Sequence, residues 1–245
     1  MANPIRSAPV STAWAGAGAA TVVGAAAAGR TVLVAGATGL VGRAILHGLL
    51  ADDSVVAVHS LGRRELDASH PKLTQHRVDL TGAPEGFPAL QGVGEAFIAL
   101  GTTIRVAGSQ EAFRAVDYAA VLAVARLAKA AGARRLGVVS AMGADARSKI
   151  FYNRVKGETE AALSALGFEG LVIARPSFLV GDRSALGQPL RGGEKLALRV
   201  STWLAPLIPD NYRSVDAAAV ARALLAAVPA AMGRTVLLSS KLRRA

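Results

Sequence analysis

The stretch TVLVAGATGLVGRAILHGLL, from Thr31 to Leu50, constrains the fold more than any other part of the chain. Its first half is a β-branched and apolar run, and its second half carries apolar residues at helical spacing. Gly36, Gly39 and Gly42 mark the join. A strand, a glycine turn and a helix in this order form the phosphate-binding arrangement of a dinucleotide fold. Gly36 is expected to let the chain turn sharply as it leaves the strand. Gly39 removes a side chain where backbone must approach a pyrophosphate, and Gly42 lets the helix pack closely on the sheet. The helix then offers free N–H groups and the positive end of its dipole to phosphate.

Beyond Arg30 the pattern alternates. Strands are predicted at 31–35, 54–60, 73–78, 96–100, 135–140, 171–174 and 235–238, and helices at 40–50, about 110–131, 149–166 and 216–227. Short apolar strands separated by helices indicate a doubly wound parallel sheet, an α/β Rossmann fold covered on both faces. Past Pro176 the alternation breaks. Leu196, Val200, Trp203, Leu204 and Leu207 share one helical face there. Residues 177–213 are therefore expected to form most of a small C-terminal cap on the substrate side. Core packing and a homodimer contact are the other uses open to that face.

Composition narrows the chemistry. With no cysteine among 245 residues, disulfides, thiolate metal sites and cysteine nucleophiles are excluded, and nothing points to an oxidising compartment. His47, His59, His70 and His76 lack metal-ligand spacing, so no metal is expected. A net charge of +11 favours an anionic partner, such as a phosphorylated cofactor. The arginines are spread along the chain and aromatics make up only 4%, which argues against a nucleic-acid module. Between Arg6 and Arg30 the chain is uncharged but mostly Ala, Gly, Ser and Thr. Such residues gain little from entering lipid, so no transmembrane segment is expected. The reading is a flexible tail over 1–29 before a single domain over 30–245, in the cytoplasm; a cleaved signal peptide is the alternative.

The motifs continue in a fixed order. LGRR follows the second strand, VDL the third and ALGTT the fourth. VVSAMGA ends the fifth strand, YNRVK opens the next helix, and ARPSFLVGDR follows the sixth. With GATGLVG, this order resembles the short-chain dehydrogenase/reductase superfamily in its extended or atypical branch. Within that branch it is most similar to the Tat-interacting-protein-like NAD(P)-binding group. The resemblance covers about 30–183 and implies a Rossmann fold, a nicotinamide cofactor and carbonyl–alcohol chemistry on a small molecule.

Several residues take roles by this resemblance. Thr38, Leu40 and Val41 join the three glycines at the cofactor, as do Leu80, Leu100, Gly101, Thr102 and Pro176. Asp79 matches a position that contacts the adenine amino group; a turn-forming Asp is the plainer reading. The second strand carries no acid at its tip, where NAD-binding sites place one for the ribose 2′-hydroxyl. Arg63 and Arg64 stand there instead. Guanidinium groups make paired, charge-assisted bonds to a 2′-phosphate, so NADP(H) is the expected cofactor, unless these arginines only solvate a loop.

Tyr152 and Lys156 are four apart and share a helix face. By resemblance Tyr152 exchanges the proton and Lys156 favours its phenolate and holds the nicotinamide ribose. Ser140 would hydrogen-bond the substrate carbonyl or hydroxyl. A packed Tyr with a solvated Lys is the alternative. The sequence departs from the pattern at Asp117, where many relatives carry the Asn of a proton relay. Phe178 and Val180 are expected to border an apolar substrate. The expected activity is that of an NADP(H)-dependent oxidoreductase; the alternative is an NADP(H)-binding regulatory or interaction protein with little turnover.

Overall fold

The computed structural model describes residues 29–81, 87–180, 211 and 213–245. The expected tail over 1–29 lies almost wholly outside the described residues. So do most of the expected cap and its apolar face, Leu196, Val200, Trp203, Leu204 and Leu207.

Seven parallel strands form one sheet in the order β3-β2-β1-β4-β5-β6-β9. They are β1 (Arg30–Ala35), β2 (Val55–Gly62), β3 (Leu73–Arg77), β4 (Glu95–Ile98), β5 (Arg135–Val139), β6 (Gly170–Arg175) and β9 (Gly233–Leu238). A separate two-residue pairing joins β7 (Leu179–Val180) to β8 (Val215–Asp216). The strand order reverses between β1 and β4, which is where an open α/β sheet leaves a crevice at its carboxyl edge.

Side chains alternate across β1 and fill two cores. Val32 and Val34 face α1 (Leu40–Ala51) and α6 (Ala217–Ala227). Leu33 and Ala35 face the opposite layer. That layer is built from a helix that starts as α3 (Gln110–Arg114), widens into a π-helical turn (Ala115–Ala120) and resumes as α4 (Val121–Ala130). Beside it lies α5 (Phe151–Ala165). The single long helix expected over 110–131 is thus interrupted, because the π turn takes one more residue per turn than its neighbours.

Two short helices were not anticipated: α2 (Ile104–Ala107) and α7 (Ser239–Leu242). Thr103 starts α2, its hydroxyl accepting a hydrogen bond from Val106 N at 3.2 Å. At the far, amino edge of the sheet, Arg30 bridges two carboxylates, Asp52 and the buried Glu95. This ties β1 to β4 and to the start of β2, and leaves the carboxyl edge as the free face.

Candidate functional site

The glycine turn closes as the sequence requires. Gly36 has φ +91°, and a Cβ there would lie 2.6 Å from Ala99 O. Gly39 N donates to Gly36 O at 3.0 Å, and Arg43 N donates to Gly39 O at 2.9 Å. The N–H groups of Leu40, Val41 and Gly42 precede that first intrahelical bond and point out of the helix end. Gly39 caps α1 with no side-chain bond, and no acidic residue occupies the first turn. The expectation for Gly42 needs a correction. Its Cβ would fall 2.1 Å from Gly36 O, so Gly42 makes room for the turn itself rather than for the sheet. A cradle of bare backbone at a helix N-terminus, with no acid to repel phosphate, fits the pyrophosphate of a dinucleotide.

Arg63 and Arg64 are exposed just past the end of β2. Asp79 is exposed nearby, and its carboxylate accepts from Thr81 N at 3.0 Å and Thr81 Oγ1 at 2.7 Å. These two bonds, with a smaller contribution from the Arg63 charge, hold the Asp79 carboxyl below its ordinary range. Asp79 is therefore a turn-forming residue whose charge also faces Arg63. Leu80 is buried in the core below it. Thr38, Leu100 and Thr102 are half-buried at the crevice, Gly101 is exposed there, and Pro176 is buried after β6.

The three expected reacting residues all border the carboxyl edge of β5 and the start of α5, but each has its own partners. Lys156 is buried, and its Nζ lies 2.7 Å from Asp117 Oδ1. Asp117 has no exposed surface. Its Oδ2 accepts from Thr102 N at 2.8 Å, and its backbone carbonyl accepts from Thr159 Oγ1 at 2.9 Å. Apart from the ammonium, Oδ1 has no partner. The contact is thus an ion pair rather than an aligned hydrogen bond.

Ser140 is buried, and its Oγ donates to Glu160 Oε1 at 2.6 Å. Glu160 also takes Arg175 Nε at 2.9 Å, Arg175 Nη2 at 2.6 Å and Arg234 Nη2 at 3.1 Å. The expectation that Ser140 hydrogen-bonds a carbonyl is accordingly revised. A hydroxyl has one proton, and here Glu160 takes it, leaving Ser140 as an acceptor. Tyr152 is half-buried, with its ring 5.4 Å from that of Phe113. Among the described residues its hydroxyl has no hydrogen-bond partner.

Sequence reasoning missed Glu160. Its position one helical turn beyond Lys156, with Arg175 ahead of Pro176, was the available signal. It also missed a contact between His59 Nδ1 and His76 Nε2 at 3.0 Å across β2 and β3. Burial pushes both imidazoles below their ordinary pKa. No group of three metal-ligating side chains occurs among the described residues.

The NAD(P)H-binding family matches residues 36–195. The chain belongs to that family. The NAD(P)H-binding protein is 37% identical over 202 residues to Protein HTATIP2 of Rattus norvegicus, covering 80% of each chain. It is 41% identical over 152 residues to Protein FMP52, mitochondrial, of Eremothecium gossypii, covering 62% of this chain and 67% of the relative. It thus falls in the Tat-interacting-protein-like group that the motif order resembles. Among solved structures, MoeE5 in complex with UDP-glucose and NAD matches with TM-score 0.61 at 18% identity, over 84% of this chain and 75% of that one. The PhqB reductase domain from Penicillium fellutanum matches with TM-score 0.59 at 19% identity, over 87% and 69%. These two matches establish the fold.

Proposed function

We propose that this protein is an NADP(H)-dependent oxidoreductase that interconverts a carbonyl and an alcohol on a small apolar molecule. The observation that carries the proposal is the unengaged Tyr152 hydroxyl, one helical turn from an ammonium locked in place by Asp117. A bound nicotinamide would supply or accept the hydride. Tyr152 would donate its proton to the developing alkoxide, or take one from an alcohol. Lys156 has two further N–H donors beyond the one facing Asp117, enough to hold a ribose as well. Ser140 would accept a hydrogen bond from the substrate alcohol or from Tyr152.

The exposed Arg63 and Arg64, with no acid at the tip of β2, support the phosphorylated cofactor. An apolar substrate is supported by Ile104, Val106, Ile150 and Phe178, all exposed on segments that follow β4, β5 and β6. The committed Ser140 proton favours a second reading, an NADP(H)-binding regulator with little turnover. Among the described residues no helix is long and apolar enough to cross a membrane. A cytoplasmic location is the expectation, relatives carry "mitochondrial" in their names, and imaging of the tagged full chain decides between the two. NADPH consumption across a broad panel of aldehydes and ketones tests the activity. Turnover of several members is expected, and tight NADPH binding without any turnover would transfer the assignment to the regulator.

A further inference from the structure

The buried pair of Asp117 and Lys156 sits where its charge can be felt by only part of a bound cofactor. The pyrophosphate cradle lies at α1, and Arg63 and Arg64 mark the β2 side of the switch point. An extended dinucleotide must then send its nicotinamide half over β4 and β5. Gly101 ends that approach: a Cβ there would lie 3.4 Å from Asp117 Oδ1 and 3.7 Å from Lys156 Nζ. Gly101 itself is exposed. A side chain at this position would lie in contact with the ion pair.

Two positive ends meet the Asp117 carboxylate, one at each oxygen: Thr102 N–H, which donates to Oδ2, and the Lys156 ammonium, which pairs with Oδ1. An Asn could accept from one of them but would turn its own NH₂ toward the other. The position therefore selects a charged acid, and a relay through an Asn amide has no counterpart here. As a pair, the two side chains carry no net charge. Nearby, Arg114 and Glu158 pair with each other between α3 and α5.

We propose that Asp117, by cancelling the Lys156 charge beside the nicotinamide, sets the ratio of affinities for the oxidised and reduced cofactor. The inference rests on the dinucleotide reading above but not on turnover. The oxidised ring carries one positive charge and the reduced ring none, while the rest of the molecule is the same in both. An uncancelled buried ammonium would repel only the oxidised form. A carboxylate without its ammonium would attract only that form. The pairing keeps both redox forms acceptable, as a protein that cycles or reports on the cofactor requires.

The test is calorimetric titration of the full chain with NADP⁺ and NADPH, in mildly alkaline buffer of low ionic strength. Asp117→Asn is expected to weaken NADP⁺ relative to NADPH by about tenfold, ~1.4 kcal/mol. Lys156→Met should move the ratio the other way, although it weakens both forms by losing the ribose contact. The double variant should return the ratio close to that of the wild type. If Asp117→Asn fails to fold, the Lys156→Met and double variants still carry the comparison. A ratio that stays constant across the variants overturns the proposal, as does one that shifts in the same direction for both single changes. Failure of the wild type to bind either redox form of NADP(H) or NAD(H) would instead remove the cofactor reading, and the proposal with it.

Discussion

Tyr152 loses one hydroxyl and little volume on substitution by Phe, so Tyr152→Phe separates chemistry from folding. A positioned acid contributes about 10²–10⁴-fold, and kcat should fall within that range while the NADPH Kd holds. Turnover unchanged in the Phe variant would remove Tyr152 from the mechanism. Arg63 acts on affinity. NADPH should bind about tenfold tighter than NADH, ~1.4 kcal/mol, and Arg63→Ala should erase most of that difference. Equal affinities in the wild type would show that the guanidinium groups only solvate the loop. Glu160 is a different case, a buried carboxylate serving Ser140 and two arginines. Glu160→Ala leaves Arg175 without its partner and should cost about 3 kcal/mol of stability, measurable by denaturant unfolding. A loss near zero would mean that solvent already satisfies Arg175 and Arg234.

The edge pairing of β2 with β3 brings His59 against His76. Burial, and for His76 also the neighbouring His59 charge, pushes their pKa values below the ordinary 6.5. A group whose folded-state value is depressed binds its proton more readily in the unfolded chain. Stability should therefore fall as pH drops below about 6.5 and through the lower folded values. Melting curves of His59→Gln/His76→Gln should be flatter than those of the wild type between neutral pH and about pH 5, above the range where carboxylates titrate. Wild-type and variant curves that run parallel would show that the pair contributes nothing to the pH dependence. The strands themselves were legible because β1, β4, β5 and β6 are short, largely apolar runs bounded by turns. The pair Tyr152 and Lys156 was legible because i and i+4 share a helix face. The π-helical turn was not: its residues, Ala115 to Ala120, carry no compositional mark. The Asp117 contact, the Ser140 bond to Glu160 and the histidine contact were also hidden. Each joins side chains on different elements and depends on how those elements pack against one another.

The sheet order places Arg63 and Arg64 on the β2 side of the switch point and Ser140, Tyr152 and Lys156 on the β5 side; under the proposed function, changes on the two sides should affect binding and chemistry separately. Both cores are filled by residues from Val32 to Leu242, and the amino edge is tied by Arg30 to Asp52 and Glu95. Between Arg6 and Arg30 the sequence offers only Val10, Trp14, Val22 and Val23 as strongly apolar side chains, with Ile5 the one branched aliphatic before it. A chain beginning at Gly29 should therefore fold, bind NADPH and melt within a few degrees of the full chain. The cofactor gives an internal standard for that comparison. Free NADPH at about 100 times its Kd stabilises the bound state by about 2.7 kcal/mol. For a domain of this size that corresponds to a rise in Tm of roughly 5–10 °C. The rise should be the same with and without residues 1–28, because the cradle at Gly36 to Gly42 lies wholly within the retained part. A markedly lower Tm in the shortened chain would show that the first residues pack on the domain. An unchanged Tm with a smaller NADPH-induced rise would show that they take part in holding the cofactor.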